Sequence, residues 1–183
     1  QGEQPRSFTI WNAIDGDLFA QQHLAEPEQL ERIPEPRVVF LGVVDEWVDT
    51  RLLRDTADAL PHVHFIIAGP VIRASVDLET CPNVHLMGRI PRTQVPALLR
   101  ACRASLVPFH RQKLTERIVP LKIFEALAAG IVPVCTNFSM DLQRMADAGL
   151  LLLAHDSQSF VRAVEAALEQ DTPSRRLRLA TEG

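Results

Sequence analysis

Apolar residues in this chain fall into short continuous runs separated by stretches with a one-faced stripe. The runs are R-V-V-F-L-G-V-V at 37–44, V-H-F-I-I-A-G at 63–69, N-V-H-L-M-G at 83–88, A-S-L-V-P-F at 104–109, I-V-P-V-C-T at 131–136 and L-L-L-L-A at 150–154. Runs that are apolar throughout, rather than alternating, predict strands covered on both faces, as in a parallel sheet. Between them the spacing turns helical. Residues 49–60 place Leu52, Leu53, Ala57 and Leu60 on one stripe, and 93–101 do the same with Val95, Leu98 and Leu99 behind Thr93 as a cap residue. Helices are also expected at 120–129, at 139–148, and at 157–169, where Phe160, Val161, Val164, Ala167 and Leu168 point inward. A short helix is expected within 71–78, and a basic helix or tail over 174–180.

The amino end is less regular. Residues 1–7 are polar, 8–12 read F-T-I-W-N as a short strand-like run, 13–17 form a turn and 18–24 a short helix. Residues 25–36 carry three prolines among charges, which reads as a linker. The expected division is a segment and linker over 1–36, left from a missing N-terminal domain, and a Rossmann-like domain over 37–183. Strand alternates with helix throughout the second part. That predicts an α/β fold, a doubly wound parallel six-stranded sheet with right-handed crossovers. Ligands of such sheets bind beyond the carboxyl ends of the strands, here the loops at 43–50, 69–73, 88–92, 110–117 and around Asn137.

One of these loops leads into P-L-K-I-F-E-A-L-A-A-G at 120–130. Pro120 is suited to a helix start and Gly130 to the left-handed residue past its end. The free N–H groups and dipole of a helix start favour an anion. Lys122 stands in that first turn, where a cation is disfavoured unless an anion is present. Glu125 follows on about the same face. Lys122 and Glu125 also fit an ordinary exposed pair. The basic loop H-R-Q-K-L-T-E-R before the helix and the apolar runs on both sides speak against that reading.

Composition narrows the classes. With 183 residues, 46% hydrophobic and 23% charged, the chain is globular in type, and a net charge of -4 argues against a broad nucleic-acid surface. Cys81, Cys102 and Cys135 are odd in number and form no C-x-x-C pair, so neither a disulfide framework nor a zinc site is expected, and a reducing, cytoplasmic setting is. Neither a signal peptide nor a membrane span is expected, since no run nears the ~18 apolar residues a span needs. The first residue is not Met, as expected of a piece of something longer. The chain has no G-x-G-x-x-G after its first strand, no phosphate-binding G-x-x-x-x-G-K-[ST] and no G-x-S-x-G elbow.

Other polar groups carry two readings each. The six histidines show no metal spacing. His62 and His64 flank a strand start, His85 is a strand residue near a loop, and His110, in the basic loop, is a candidate phosphate or sugar contact. Asp45, Glu46 and Asp49 could hold a divalent ion or sugar hydroxyls, with Asp49 also suited to cap the next helix. Trp47 is an exposed aromatic wall or packs under its loop. Gly69-Pro70 lets backbone approach a ligand or ends a strand.

Taken in order, N-A-I-D-G-D-L-F (12–19), F-L-G-V-V-D-E-W-V-D (40–49), F-I-I-A-G-P (65–70), P-N-V-H-L-M-G-R-I-P (82–91), L-L-R-A-C-R-A-S-L-V-P-F (98–109) and the 120–130 stretch resemble the C-terminal, nucleotide-sugar-binding half of a GT-B glycosyltransferase of the family-4 type. The nearest likeness is to bacterial enzymes that build surface polysaccharides, and it runs over residues 8–168. It implies that Glu125 holds ribose hydroxyls and that the N–H groups of Leu121 and Lys122, following Pro120, hold a diphosphate with the Lys122 side chain. His85, Met87 and Gly88 would present backbone to the base, while Gly42, Asp45, Gly69 and Pro70 line the cleft. Thr115 and Arg117 complete the donor contacts. The family pattern has a carboxylate where Arg117 stands, and Arg117 would instead favour the leaving diphosphate. The family also often has an Arg and a Lys after its first strand, where this chain has Asp45 and the stretch at 47–49.

The expected function is transfer of a hexose from a nucleotide-diphosphate sugar, as co-substrate, to a saccharide or lipid-linked acceptor. No cofactor, no metal and no catalytic residue in this half are expected. The expected partner is the missing N-terminal GT-B domain, without which the chain would be inactive. The expected place is the cytoplasm, with peripheral contact at the inner face of the membrane through the full-length enzyme. A nucleotide-sugar epimerase half and a non-catalytic α/β regulatory domain are the alternatives.

Overall fold

Six parallel strands form one sheet in the order β3-β2-β1-β4-β5-β6 in the computed structural model, which describes residues 12–21 and 23–182. The elements in chain order are α1 Gly16–Ala20, β1 Arg37–Leu41, α2 Thr50–Ala59, β2 His64–Ala68, β3 Val84–Gly88, α3 Val95–Arg100, β4 Ala104–Val107, α4 Leu121–Ala128, β5 Val132–Thr136, α5 Met140–Asp147, β6 Leu152–Ala154, α6 Ser157–Glu169 and α7 Pro173–Glu182. The doubly wound α/β reading holds. The strand-like run at 8–12 lies, apart from Asn12, outside the described residues.

The continuous apolar runs are explained by two cores. Val38 and Phe40 of β1, with Phe65 and Ile67 of β2, join one cluster with α2 and α6. Their alternates Val39, Ile66 and Ala68 join the other with α3. A strand turns successive side chains to opposite faces, so a sheet covered on both sides needs every position apolar.

The chain winds outward from β1 through β2 to β3, then returns to lay β4 on the other side of β1. The crossovers diverge between β1 and β4, and the carboxyl ends of these two strands frame the cleft.

Three local expectations are corrected. Residues 71–78 form no helix, because their backbone is tied to the β1–α2 connection: Val71 bridges Val44, Ile72 N–H donates to the Val44 carbonyl at 2.9 Å and Ser75 N–H to the Thr50 hydroxyl at 2.9 Å. Thr93 is no cap. It sits inside a 3₁₀ turn, Arg92–Gln94, opened by extended Pro91, and α3 begins only at Val95 with a proline in its first turn. Within residues 25–36 a 3₁₀ turn at Glu28–Arg32 delivers Leu30 and Ile33 to the α3-side core, 1% and 6% exposed. Pro120 is the residue before α4 rather than its first member, with ψ 141°. Gly130, with φ 77°, ends that helix as expected.

Candidate functional site

The cleft begins where β1 stops. Gly42 turns the chain with φ 121° and Gly69, after β2, with φ 150°. A Cβ on Gly69 would stand 2.0 Å from the Gly42 carbonyl oxygen, so the two turns pack backbone on backbone. A Cβ on Gly42 would come within 3.0 Å of Lys122 Nζ. The bare backbone at 42 is what admits the lysine.

Lys122 reaches back from the first turn of α4 over the end of β1. Its Nζ lies 4.1 Å from the centroid of the Phe40 ring and 4.8 Å from that of Phe109. Ring faces attract a cation, yet they do not hydrate it. Burial lowers the Lys122 ammonium from its usual 10.5 to about 7, against the opposing pull of Glu125 and Cys135. No hydrogen bond or ion pair to Lys122 Nζ occurs among the described residues. Pro120 supplies no side-chain cap to α4, so its first N–H groups have no side-chain partner either. An anion placed here meets a helix start and a cation together.

Lys122 and Gly42 line a cleft of about 370 Å³ with Val43, Trp47, Phe109, Leu114, Thr115 and Ile118. Its wall is mostly apolar. Trp47, half-buried, is both wall and packing: it faces this cleft and rests on the α2–α6 core. Thr115 is fully buried and its hydroxyl is held inside its own loop, donating to the His110 carbonyl and accepting from Gln112 N–H at 3.0 Å. It shapes the loop. Arg111, Lys113 and Arg117 on the same loop are exposed. Arg117 is not among the residues lining the cleft.

Glu125 lies one turn beyond Lys122 and is 5% exposed. Its Oε1 accepts a 2.6 Å bond from Arg92 Nη1. The resemblance assigned Arg92 no role. The signal available in the sequence was a cation in a strand-end loop, with a carboxylate elsewhere on an otherwise apolar helix face.

Several expected site groups are engaged elsewhere. The Asp45 carboxylate accepts from Arg73 Nε and from Glu46 N–H, and the Arg73 bond, first, then the Glu46 bond and the guanidinium charge, hold it below the usual carboxylate range against burial. That pair fastens the β1–α2 loop to the segment after β2. Asp49 caps α2, accepting from Leu52 N–H at 2.9 Å. His110 lies 3.6 Å from Asp49 in a separate cavity of about 230 Å³, with Asn137 and His155. The His85 ring meets His64, nitrogen to nitrogen at 3.0 Å, and burial, then the charge of His64, lowers it. Its side chain is therefore spent on β2. Met87 packs toward the α3-side core, Pro70 offers its carbonyl to Val44 N–H at 3.0 Å, and Gly88 bridges Gly69. The structure thus gathers Gly42, Gly69 and Lys122 at the end of β1, with Gly88 beside Gly69, while Leu121 and Glu125 share α4 with Lys122.

The architecture is a Rossmann-like α/β domain with its cleft at the β1–β4 opening. Residues 35–170 match the family model described as glycosyl transferases group 1, and the chain belongs to that family. A Bacillus subtilis (strain 168) protein named as a teichuronic acid biosynthesis glycosyltransferase, TuaH, is 27% identical over 134 residues, 70% of this chain and 34% of that protein. The chain thus spans about a third of the length of that curated relative. The crystal structure of the C-terminal domain of a group 1 glycosyl transferase (LpcC) from Francisella tularensis matches with TM-score 0.66 at 16% identity, covering 92% of this chain and 93% of that one. Anabaena Alr3699/HepE, in complex with UDP-glucose, matches with TM-score 0.69 at 19% identity, covering 94% of this chain and 50% of that one. No helix among the described residues is long and apolar enough to cross a membrane.

Proposed function

We propose that this chain is the donor-binding half of a hexosyltransferase acting in the assembly of a bacterial surface polysaccharide. The diphosphate of a nucleotide sugar lies on the first-turn N–H groups at Leu121 and Lys122 and on the Lys122 ammonium. Glu125 accepts hydrogen bonds from the ribose hydroxyls. The base lies along the backbone at residues 85–88, the sugar toward the exposed loop that carries Arg117. The observation that carries this reading is Lys122, a cation lying over two aromatic rings at a helix start without a side-chain cap, its Nζ meeting no hydrogen bond or ion pair among the described residues.

The acceptor, a saccharide or a lipid-linked saccharide, is brought by a missing N-terminal half. Residues 12–36 then lead in from that half, and the chain alone binds nucleotide with little turnover. Contact with the inner face of the membrane belongs to the full-length enzyme. The epimerase alternative needs a cleft histidine, and His110 is turned to Asp49 in the neighbouring cavity. A thermal-shift screen of UDP, GDP, ADP and dTDP, followed by calorimetry on Glu125→Ala, tests the reading. Loss of a charged hydrogen-bonding group costs about 1.5–3 kcal/mol, or roughly ten-fold or more in affinity. Unchanged affinity in Glu125→Ala contradicts it.

A further inference from the structure

Arg92 and Glu125 form an unequal pair. The arginine side chain is 52% exposed and reaches in from the rim, while the glutamate side chain is 6% exposed. Arg92 belongs to the 3₁₀ turn that leads directly into α3, whose Val95, Leu98 and Leu99 share a core with Ala126 and Ala129 of the α4 segment. The base of the arginine is therefore fixed relative to the helix that carries Glu125. Only Oε1 of the carboxylate is bonded among the described residues. A carboxylate has about four lone-pair sites and a guanidinium five N–H donors, so one bond leaves about three acceptor sites free. That is enough for two ribose hydroxyls without displacing the arginine.

The nearby alternative cation does not substitute. Lys122 Nζ is drawn over the Phe40 and Phe109 rings instead. A buried carboxylate with no hydrogen-bonded counter-charge is costly, and it relaxes by moving or by taking a proton. Either change removes the acceptor a ribose needs.

We propose that Arg92 is the positioning residue of the ribose subsite: it holds the Glu125 carboxylate with one oxygen free for the sugar hydroxyls and remains bonded to it when a nucleotide docks. The proposal rests on the donor-site reading above. It makes Arg92 responsible for discrimination between ribo- and deoxyribonucleotides rather than for affinity in general. A site built to bond a hydroxyl rejects the analogue lacking it, because its own acceptor is then left unpaired.

The test is calorimetry of UDP, GDP and ADP, each beside its 2′-deoxy counterpart, on the unsubstituted chain and on Arg92→Ala, Arg92→Lys and Glu125→Ala. The unsubstituted chain should prefer the ribonucleotide by about ten-fold. Arg92→Ala should lose most of that preference, weakening the ribonucleotide about ten-fold and the deoxyribonucleotide by less than about two-fold. Arg92→Lys, which keeps the charge but not the fork, should recover part of it. If Arg92→Ala fails to fold, Arg92→Met, which keeps most of the apolar stem without a donor, reads the same ratio.

An unchanged preference in Arg92→Ala overturns the proposal, and so does an equal loss for both nucleotides, which marks a merely structural residue. Tighter ribonucleotide binding overturns it too, since Arg92 would then be a latch that must leave. Those outcomes spare the donor-site reading as long as Glu125→Ala abolishes the preference. If the unsubstituted chain binds no nucleotide, or Glu125→Ala keeps the preference, the donor-site reading falls and this proposal with it.

Discussion

Two helices start at the carboxyl ends of strands in this sheet and start in opposite ways. After β6, Asp156 caps α6 by accepting from Ser159 N–H at 2.7 Å, and the Ser159 hydroxyl reaches back to Asp156 N–H at 2.9 Å. The protein provides its own anion, and the bond lowers the Asp156 pKa. Between β4 and β5, α4 begins behind Pro120 with no side-chain cap and a lysine in its first turn. Absence of a cap alone is not the distinction. α5 also lacks a side-chain cap bond, but it carries Asp141 in its first turn. What sets α4 apart is a missing cap combined with a partly desolvated cation. A self-sufficient helix start stabilises the fold, by about 1 kcal/mol for a good cap. One left incomplete is stabilised by whatever anion arrives.

Breaking the lysine should have the largest effect. Lys122→Met keeps the apolar slot filled and removes the desolvated charge. Nucleotide affinity should fall about thirty-fold or more by calorimetry, for one lost charge-assisted contact of about 2 kcal/mol. Thermal stability should hold or rise, as it does when an uncompensated charge leaves a buried site. A loss of both affinity and stability would make Lys122 structural.

Next comes pH. The folded-state pKa of Lys122, about 7, lies below its ordinary 10.5. Between those values the native state holds fewer protons than the unfolded one, so this group's contribution to stability increases with pH across the window and its penalty is complete below about 7. A bound diphosphate reverses that penalty by raising the pKa. Nucleotide affinity should therefore be greatest below pH 7 and weaken by up to about ten-fold per pH unit above it, until the pKa of the bound state is reached. The dependence should be absent in Lys122→Met.

Smaller effects sharpen the contrast. Gly42→Ala puts a Cβ near 3.0 Å from Lys122 Nζ on a backbone at φ 121°. It should cost about 1–3 kcal/mol of stability by denaturant titration and weaken nucleotide binding by moving the ammonium. Asp156→Ala should cost about 1 kcal/mol, or a few degrees in melting temperature, and leave nucleotide affinity within about two-fold.

The strands were the most legible part of the chain, because burial on both faces leaves a run with no polar interruption, as in V-V-F at 38–40. The start of α4 was legible as well: proline, lysine and the basic loop are local signals. What escaped was set by distance along the chain. Arg92 and Glu125 are 33 residues apart and meet only because α3 and α4 share a core. His64 and His85 meet through strand register, where Ile66 pairs with His85, and no spacing rule within one strand announces that. The stretch at 71–78 read as helix because its anchors, Val44 after β1 and Thr50 at the start of α2, lie more than twenty residues earlier in the chain. Thr93 read as a cap because the 3₁₀ turn begun at Pro91 depends on backbone geometry rather than on side-chain type.

Where a diphosphate binds is the central question for this fold. A crystal structure of the chain soaked with UDP, with GDP and ADP as alternates, answers this directly. The diphosphate should lie on the first-turn N–H groups of α4 within hydrogen-bond reach of Lys122 Nζ, with the ribose on Glu125. A nucleotide bound away from α4, or an α4 start that stays empty at saturating nucleotide, would contradict it.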